Sequence, residues 1–283
     1  MQEQSHYAVG IDIGTKKVRC VIGHIDETTG VPRIIGVGQA PNSGMRKGVI
    51  THLNGPAAAI DTALDAAERM SGHRVSTAAL GVNGVHIIST KVDGMVAVNA
   101  SSSEVTEDDV ARLENVATVG KVPANREILE VVPYEYRLDG QDNIKNPIGM
   151  TGTRLELRAN VVSGLVPHLG NLHKLAEMSN IDAVRIVPTV LASAQAVLNE
   201  SQMENGVAVI DIGASTTGVA VFEEGDLQHL SVVPMGSQNV TNDLAIGLKV
   251  DLEIAEKVKL QHGELGGETT GVIDIKHEKE TQV

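Results

Sequence analysis

Short runs of Val, Ile and Ala, closed by Gly, Asn, Asp or Pro, alternate along this chain with stretches where apolar residues recur every third or fourth position. The first pattern predicts strands and turns, the second amphipathic helices. The run Ala8-Val9-Gly10-Ile11-Asp12-Ile13-Gly14 passes through a short polar turn into a second apolar run at 18–22, which reads as a β-hairpin. The same four letters return at Ile210-Asp211-Ile212-Gly213, after Val207-Ala208-Val209 and before an apolar run at 219–222. Each copy is a strand, a Gly turn and a strand, with a carboxylate entering the turn.

Between the copies the pattern predicts a strand at 33–37 and a helix from Asn54, read as its N-cap with Pro56 in the first turn. Ile60, Leu64, Ala67 and Met70 fall on one face of that helix and Gly72 ends it. A buried strand follows at 75–82. Residues 85–161 read as a separate inserted α+β module. It opens with strands at 86–89 and 95–98. Next comes the capping pattern Thr106-Glu107-Asp108-Asp109 before a helix bearing Val110, Leu113 and Val116. Strands at 127–132 and 155–162 close the module, around the Pro/Gly-punctuated loop 144–152.

Helices are expected at 167–178 (Leu169, Leu172, Leu175) and at 188–198 (Val190, Leu191, Ala194, Val197). The second leads through polar 199–205 into the second Asp hairpin. A strand at 227–233, a turn at Met235-Gly236-Ser237 and helices at 241–248 and 252–260 follow. Beyond His262 the chain is polar and Gly-rich, with one strand candidate at 272–275.

Composition narrows the possibilities. At 283 residues the chain can form two or more domains. Aromatic residues make up only 1%, so the core must rest on aliphatic side chains. A net charge of −13 argues against broad nucleic-acid binding and against adhesion of this segment to an anionic membrane surface. The single Cys20 allows no internal disulfide, which fits a reducing cytosol, and it reads as a small buried hydrophobe. The start Met1-Gln2-Glu3-Gln4 has no positive n-region or apolar h-region, so no signal peptide is expected, and no apolar run approaches membrane-spanning length. Gly120-Lys121 lacks the upstream Gly of a P-loop, and the ten His show no metal spacing; His168 and His173 are five apart. Gly36-Val37-Gly38 opens like a dinucleotide fingerprint, but Pro41 stands where its helix would begin.

The two carboxylates carry the chemical expectation. An Asp in an apolar strand is costly unless something positive meets it. Two of them, on two copies of one hairpin, predict a shared cation. Gly turns with free N–H groups make anion-binding concavities. Facing each other, the hairpins would hold a hydrated Mg²⁺ and a phosphate group.

Three longer stretches carry a resemblance: Val105-Thr106-Glu107-Asp108-Asp109-Val110, Val131-Val132-Pro133-Tyr134-Glu135-Tyr136-Arg137-Leu138-Asp139-Gly140, and Ile144-Lys145-Asn146-Pro147-Ile148-Gly149-Met150-Thr151-Gly152. With the two hairpins and the helix before the second, they resemble the FtsA family, actin-like proteins of bacterial cell division within the actin/Hsp70/sugar-kinase superfamily. The resemblance covers residues 7–263. It implies an α/β, actin-like ATPase fold of two duplicated ribonuclease-H-like domains. In that division 1–84 and 162–204 form one inner subdomain (1A), 85–161 the inserted subdomain (1C, SHS2-type), and 205–262 the second inner subdomain (2A). Residues 263–283 would begin an outer subdomain (2B).

The resemblance also implies ATP and Mg as cofactors. Asp12 and Asp211 would hold the metal through water. Gly14, Thr15 and Lys17 match the first phosphate loop; Gly213, Ala214, Ser215 and Thr216 match the second, with less glycine than is usual there. Gly236 lies in the turn near the nucleotide, and Glu256 and Lys259 match the helix facing ribose and base. Asp211 would position water for a slow hydrolysis, if any. The expected partners are the tubulin-like ring protein FtsZ, other divisome proteins and further copies of the chain through the inserted subdomain. The expected place is the cytoplasm, and for the complete family the cytoplasmic face of the membrane at the division septum. Family members continue past Gly263 into an outer subdomain, a Gly-rich adenosine loop and a C-terminal membrane helix. The chain is therefore expected to be shortened and to bind ATP weakly. Two other readings stay open: a pilus or secretion-machine adaptor of the same fold, and a small-molecule phosphotransferase of the superfamily.

Overall fold

The computed structural model describes residues 7–26, 28–98 and 103–264; the expected strand at 272–275 lies outside them. The elements begin with β1 (Tyr7–Ile13), β2 (Lys17–Ile25), β3 (Pro32–Pro41), the small hairpin β4 (Met45–Arg46) and β5 (Val49–Ile50), α1 (Asn54–Ser71) and β6 (Thr77–Val82). The inserted segment gives β7 (Ile88–Ala97), α2 (Glu107–Thr118), β8 (Arg126–Leu138), β9 (Gln141–Ile144) and β10 (Arg154–Leu165). Then come α3 (Val166–Met178), β11 (Asp182–Pro188), α4 (Thr189–Val197), α5 (Glu200–Glu204), β12 (Val207–Ile212), β13 (Thr217–Glu223) and β14 (Asp226–Val233). Helices α6 (Ser237–Leu248) and α7 (Leu252–His262) end the described chain.

The first sheet runs β11-β6-β1-β2-β3. Strands β1, β2 and β3 are antiparallel because tight turns join them; β6 and β11 add in parallel, each after a helical crossover. Ile11, Ile13, Val18, Cys20 and Ile22 alternate inward with the strand period and are buried. Helix α1 lies against β3 at close range. A Cβ at Gly38 would stand 1.8 Å from the Ala63 carbonyl oxygen, and one at Gly36 2.5 Å from that of Ala67. The Gly-Val-Gly triplet is thus the seat of a helix. The buried face of α1 is Ile60, Ala63, Leu64 and Ala67, and Met70 is exposed, contrary to the expected stripe. Leu53 precedes the helix without a side-chain cap, so Asn54 is its first residue and not its N-cap; Gly72, at φ 75°, ends it as expected.

The inserted segment folds around its own core of Val92, Leu113, Ala117, Leu155, Leu157, Ala159 and neighbours. Its sheet runs β7-β10-β8-β9. Strand β7 is continuous where two short strands were expected. Strand β8 continues through Pro133, which has no N–H to donate; the ladder shifts register there, between Arg158 and Ala159. Asp139 (φ 50°) and Gly140 (φ 89°) make the two-residue turn into β9. The capping box is present: the Asp109 N–H donates to Thr106 Oγ1 at 3.2 Å and the Thr106 N–H to Asp109 Oδ2 at 3.0 Å. Helix α2 buries Asp109, Leu113 and Ala117, leaving Val116 exposed. The reason is Gly94 of β7, which admits Ala117 so closely that a Cβ there would lie 2.7 Å from its methyl group.

Two sets of polar contacts tie this module down. At its neck Arg126 donates to the His86 carbonyl at 2.6 Å, to the Ser163 carbonyl at 2.8 Å and to Ser163 Oγ at 2.9 Å. One guanidinium thereby holds the strands that enter and leave. Beside it His86, 4% exposed, stacks on His168 of α3 with ring centroids 4.6 Å apart. Among the described residues both ring nitrogens of His86 lack a hydrogen-bond partner. On the sheet face Ser89 Oγ donates to the Leu230 carbonyl (3.0 Å) and accepts from its N–H (2.9 Å), and Asn160 Nδ2 donates to the Leu227 carbonyl. Lys145 reaches the Glu224 carbonyl and Asp226. The module is therefore docked on β14.

Strand β14 belongs to the sheet β12-β13-β14, which repeats the antiparallel order of β1-β2-β3. Helix α4 precedes it, with Val190, Leu191 and Ala194 buried and Val197 exposed. The polar stretch before β12 is partly helical (α5), capped reciprocally by Asn199 and Gln202. The chain divides into two compact units after Gln238. In the second, Lys259 Nζ donates to Glu256 Oε2 (2.7 Å) and Thr241 Oγ1 (2.9 Å), joining α6 to α7. Among the described residues no helix is long and apolar enough to cross a membrane.

Three outcomes follow from this packing. Gly38→Ala should cost about 1–3 kcal/mol in urea unfolding, since strand and helix must part. Burial, helped by Glu68, pushes the Cys20 thiol to about 11, so native protein at pH 8 should resist alkylation until it unfolds. Burial first, then His168 and Arg126, lower His86 to about 4. Its folded value lies below the unfolded one, so stability should be complete above about pH 6.5 and fall by roughly 3 kcal/mol as the pH drops towards 4. His86→Phe should flatten that acid limb in thermal melts.

Candidate functional site

The two Asp hairpins share one backbone design. The Gly14 N–H donates to the Lys17 carbonyl at 3.0 Å, and the Gly213 N–H to that of Thr216 at 2.9 Å. A Cβ would lie 2.8 Å from the Lys17 oxygen at Gly14 and 3.0 Å from the Thr216 oxygen at Gly213, so any side chain would open either turn. The turn carbonyls are held from behind in both. Asn42 donates through Nδ2 to Gly14 O (2.7 Å) and through its N–H to Lys16 O (2.8 Å). The Ser237 and Gln238 N–H groups donate to Gly213 O (2.9 Å) and Ala214 O (2.8 Å). Gly236 must be glycine for this, because a Cβ there would stand 2.5 Å from Gly213 O. Thr217 Oγ1 donates to the Met235 carbonyl at 2.8 Å, fixing the same turn. Meanwhile the N–H groups of Thr15, Lys16, Ala214 and Ser215 donate to no acceptor among the described residues. Turns with tethered carbonyls and free amides are suited to an anion.

The hairpins face each other. Thr15 Oγ1 and Ser215 Oγ are 2.7 Å apart, two hundred positions distant in the chain. Asp12 and Asp211 sit behind these tips, close enough that the charge of Asp211 is felt at Asp12. The Asp12 carboxyl is raised above its ordinary value, chiefly by burial and further by Asp211, with Arg19, Thr189 and their hydrogen bonds pulling the other way. Arg19 stands opposite Asp12 in the β1–β2 register, its Nη1 3.4 Å from Oδ2. At the matching place in the second hairpin, opposite Asp211, stands Gly218. The expected positive charge is thus supplied to Asp12 in part by the chain itself and to Asp211 not at all by that route. Lys17 is exposed at the start of β2, and its carbonyl closes the first turn.

Of the residues that the hairpins and the family resemblance suggested, the structure brings together Asp12, Gly14, Thr15, Asp211, Gly213, Ala214, Ser215, Thr216 and Gly236. The sequence reading missed Arg19, Asn42, Thr189 and Ser193, which also meet these residues. Arg19 could have been found by counting the hairpin register outward from the turn. The other three meet the site through long-range packing. Glu256 and Lys259 lie in the second unit, where they bond to each other and to Thr241 instead of forming the solvated face usual for such a pair.

For a metal, Asp12 and Asp211 are the available ligands. Among the described residues no three His, Cys, Asp or Glu converge, so an ion here would keep most of its waters and take the rest of its shell from the anion. That donor set of oxygens suits Mg²⁺.

Comparison with known proteins gives the relationship. The family model for the SHS2 domain inserted in FtsA matches residues 84–163, and the model for cell division protein FtsA matches residues 208–282. FtsA of Neisseria meningitidis serogroup B is 35% identical over 272 residues, 96% of this chain and 65% of that protein. FtsA of Bacillus subtilis strain 168 is 37% identical over 255 residues, 90% of this chain and 58% of that protein. The chain therefore spans about three fifths of the curated relatives it matches. Among solved structures, the PilM–PilN type IV pilus biogenesis complex aligns with a TM-score of 0.65 at 15% identity, over 90% of this chain and 70% of that one. The ethanolamine utilization protein EutJ of Carboxydothermus hydrogenoformans aligns at 0.52 and 18%, over 90% and 61%. These likenesses give the fold, an actin-like ATPase fold carrying an inserted SHS2 domain. With facing Asp hairpins, that insertion and more than a third of positions shared with such relatives, the chain belongs to the FtsA family of actin-like cell-division proteins.

Proposed function

We propose that this chain is the nucleotide-holding part of an actin-like division adaptor that takes Mg–ATP between its two hairpins. The observation that carries the reading is the meeting of Thr15 and Ser215 in front of the paired Asp12 and Asp211. Free turn amides on both sides would take phosphate oxygens, and the carboxylates would take the metal's waters. Arg19, beside Asp12, would meet phosphate charge as well. When bound, the metal spreads the triphosphate's negative charge. Asp211 would orient a water towards the terminal phosphate, giving at most slow hydrolysis. Glu256 and Lys259 are assigned to the sugar side by family resemblance alone.

The wider role follows the family. In the complete protein the adaptor would link the FtsZ ring to the membrane at the septum. The module at 85–161 would join successive copies head to tail, an arrangement that gives open filaments. The inner subdomains would be 1–84 with 162–204, and 205–262, with 263–283 opening the outer one. A phosphotransferase would need a base and a substrate cleft beside the first hairpin, and the module docked on β14 serves neither.

Titration of the chain with ATP and Mg²⁺, followed by ³¹P NMR, tests the site. Asp12→Asn and Asp211→Asn should each weaken Mg-dependent binding tenfold or more. Affinity equal to the parent's in both variants would refute the assignment. In the metal-free protein Asp12→Asn should raise the melting temperature slightly, because a raised carboxyl opposes folding once ionised.

A further inference from the structure

The geometry points to Thr189 and Ser193 of α4 as positioning residues that set the spacing of the two metal-facing carboxylates, an inference that rests on the reading above. The two residues are four apart, so they share one face of the helix, about one turn or ~6 Å along it. Each hydroxyl goes to a different half of the molecule. Thr189 Oγ1 donates to Asp12 Oδ1 at 3.5 Å, and Ser193 Oγ donates to Asp211 Oδ2 at 3.2 Å. One helix thus touches both carboxylates, although they lie on different sheets.

The seating of α4 supports this. In the ladders, Gly81 of β6 is the partner of Asp12 and Gly218 of β13 is the partner of Asp211. Each glycine also makes room for the helix. A Cβ at Gly81 would lie 3.2 Å from Thr189 Oγ1 and 3.3 Å from Asp12, and one at Gly218 would lie 2.9 Å from Val190 Cβ. The other side of α4 is anchored by buried Val190, Leu191 and Ala194. The helix is therefore gripped by both halves at the level of the carboxylates. Its turn, rather than a bound ion, determines how far apart they stand.

This has a chemical consequence. Mg²⁺ demands near-ideal octahedral geometry and gives up its waters reluctantly, whereas Ca²⁺ accepts varied distances. Carboxylates held at a fixed spacing favour the stricter ion. Ser193 takes one oxygen of Asp211 and leaves the other open, whereas Asp12 has Thr189 at one oxygen and Arg19 at the other. Among the described residues Asp211 Oδ1 has no partner and is the oxygen left for a metal-bound water.

The test compares the parent chain with Ser193→Ala and Thr189→Val, and with the hydroxyl-retaining Ser193→Thr and Thr189→Ser. Mn²⁺ binding by electron paramagnetic resonance, and ATP binding as a function of Mg²⁺ and Ca²⁺, are read for each. Ser193→Ala and Thr189→Val should raise half-saturating Mg²⁺ about three- to tenfold and Ca²⁺ less, narrowing the preference, while the hydroxyl-retaining variants restore it. A ¹³C NMR titration of Asp12 gives a readout that needs no metal. Thr189→Val should move it upward, because a donor favouring the ionised form is lost. Unchanged metal preference in both hydroxyl-lacking variants, with an unmoved Asp12 titration, would overturn the inference and leave the nucleotide site standing. A parent chain without Mg-dependent ATP binding would remove the functional reading instead, and the Asp12 titration would then decide alone whether α4 holds the carboxylates.

Discussion

Two carboxylates of like charge held close together in a half-buried cleft are the constraint around which this molecule is arranged. Burial raises the Asp12 carboxyl most, and the charge of Asp211 raises it further. The chain answers with donors of two kinds. Arg19 brings a full charge to one of them, and Thr189 and Ser193 bring hydroxyls to both. Compensation stays incomplete, since Asp12 remains raised. A site that tolerates such repulsion gains most from a divalent cation, because the ion removes the repulsion as it binds. Strain of this sort clusters where function requires it.

The remaining architecture keeps those groups in place. The turn carbonyls are tethered from behind by Asn42 in one hairpin and by the start of α6 in the other. Glycine is used where backbone must approach backbone, at Gly14, Gly213 and Gly236 for the turns, and where side chains of α4 come in, at Gly81 and Gly218. The inserted module joins this frame at two points. Arg126 clamps its entering and leaving strands, and Ser89 and Asn160 bond to β14, whose neighbour β13 starts at the turn of the second Asp hairpin. A shift of the second hairpin therefore has a direct mechanical route, through one strand, to the module's sheet.

The duplication is exact in letters and unequal in surroundings. Ile11 and Ile13 are 1% and 4% exposed, while their counterparts Ile210 and Ile212 are 60% and 66% exposed. Strand β1 has β6 on its far side; β12 is an edge among the described residues. The same four residues are thus a core strand in one half and an open edge in the other.

What the chain's letters decided by themselves was local. The hairpins were legible because a period of two and a Gly turn act over a few residues. The capping box at Thr106 and the stop at Gly72 were legible for the same reason. The inserted module was legible through its long motifs, and so was the family. Local pattern failed where a neighbour far along the chain decides. Met70 and Val116 fit a helical stripe yet face solvent, because glycines on β3 and β7 draw each helix in along its alanines. For the Gly-Val-Gly triplet, Pro41 spoke locally against a nucleotide loop, but only the fold shows that Ala63 lies against it. Arg19 needed only a register count. Thr189 needed the fold itself: it reaches Asp12 across 177 positions, and only tertiary packing decides which face of a helix meets which carboxylate.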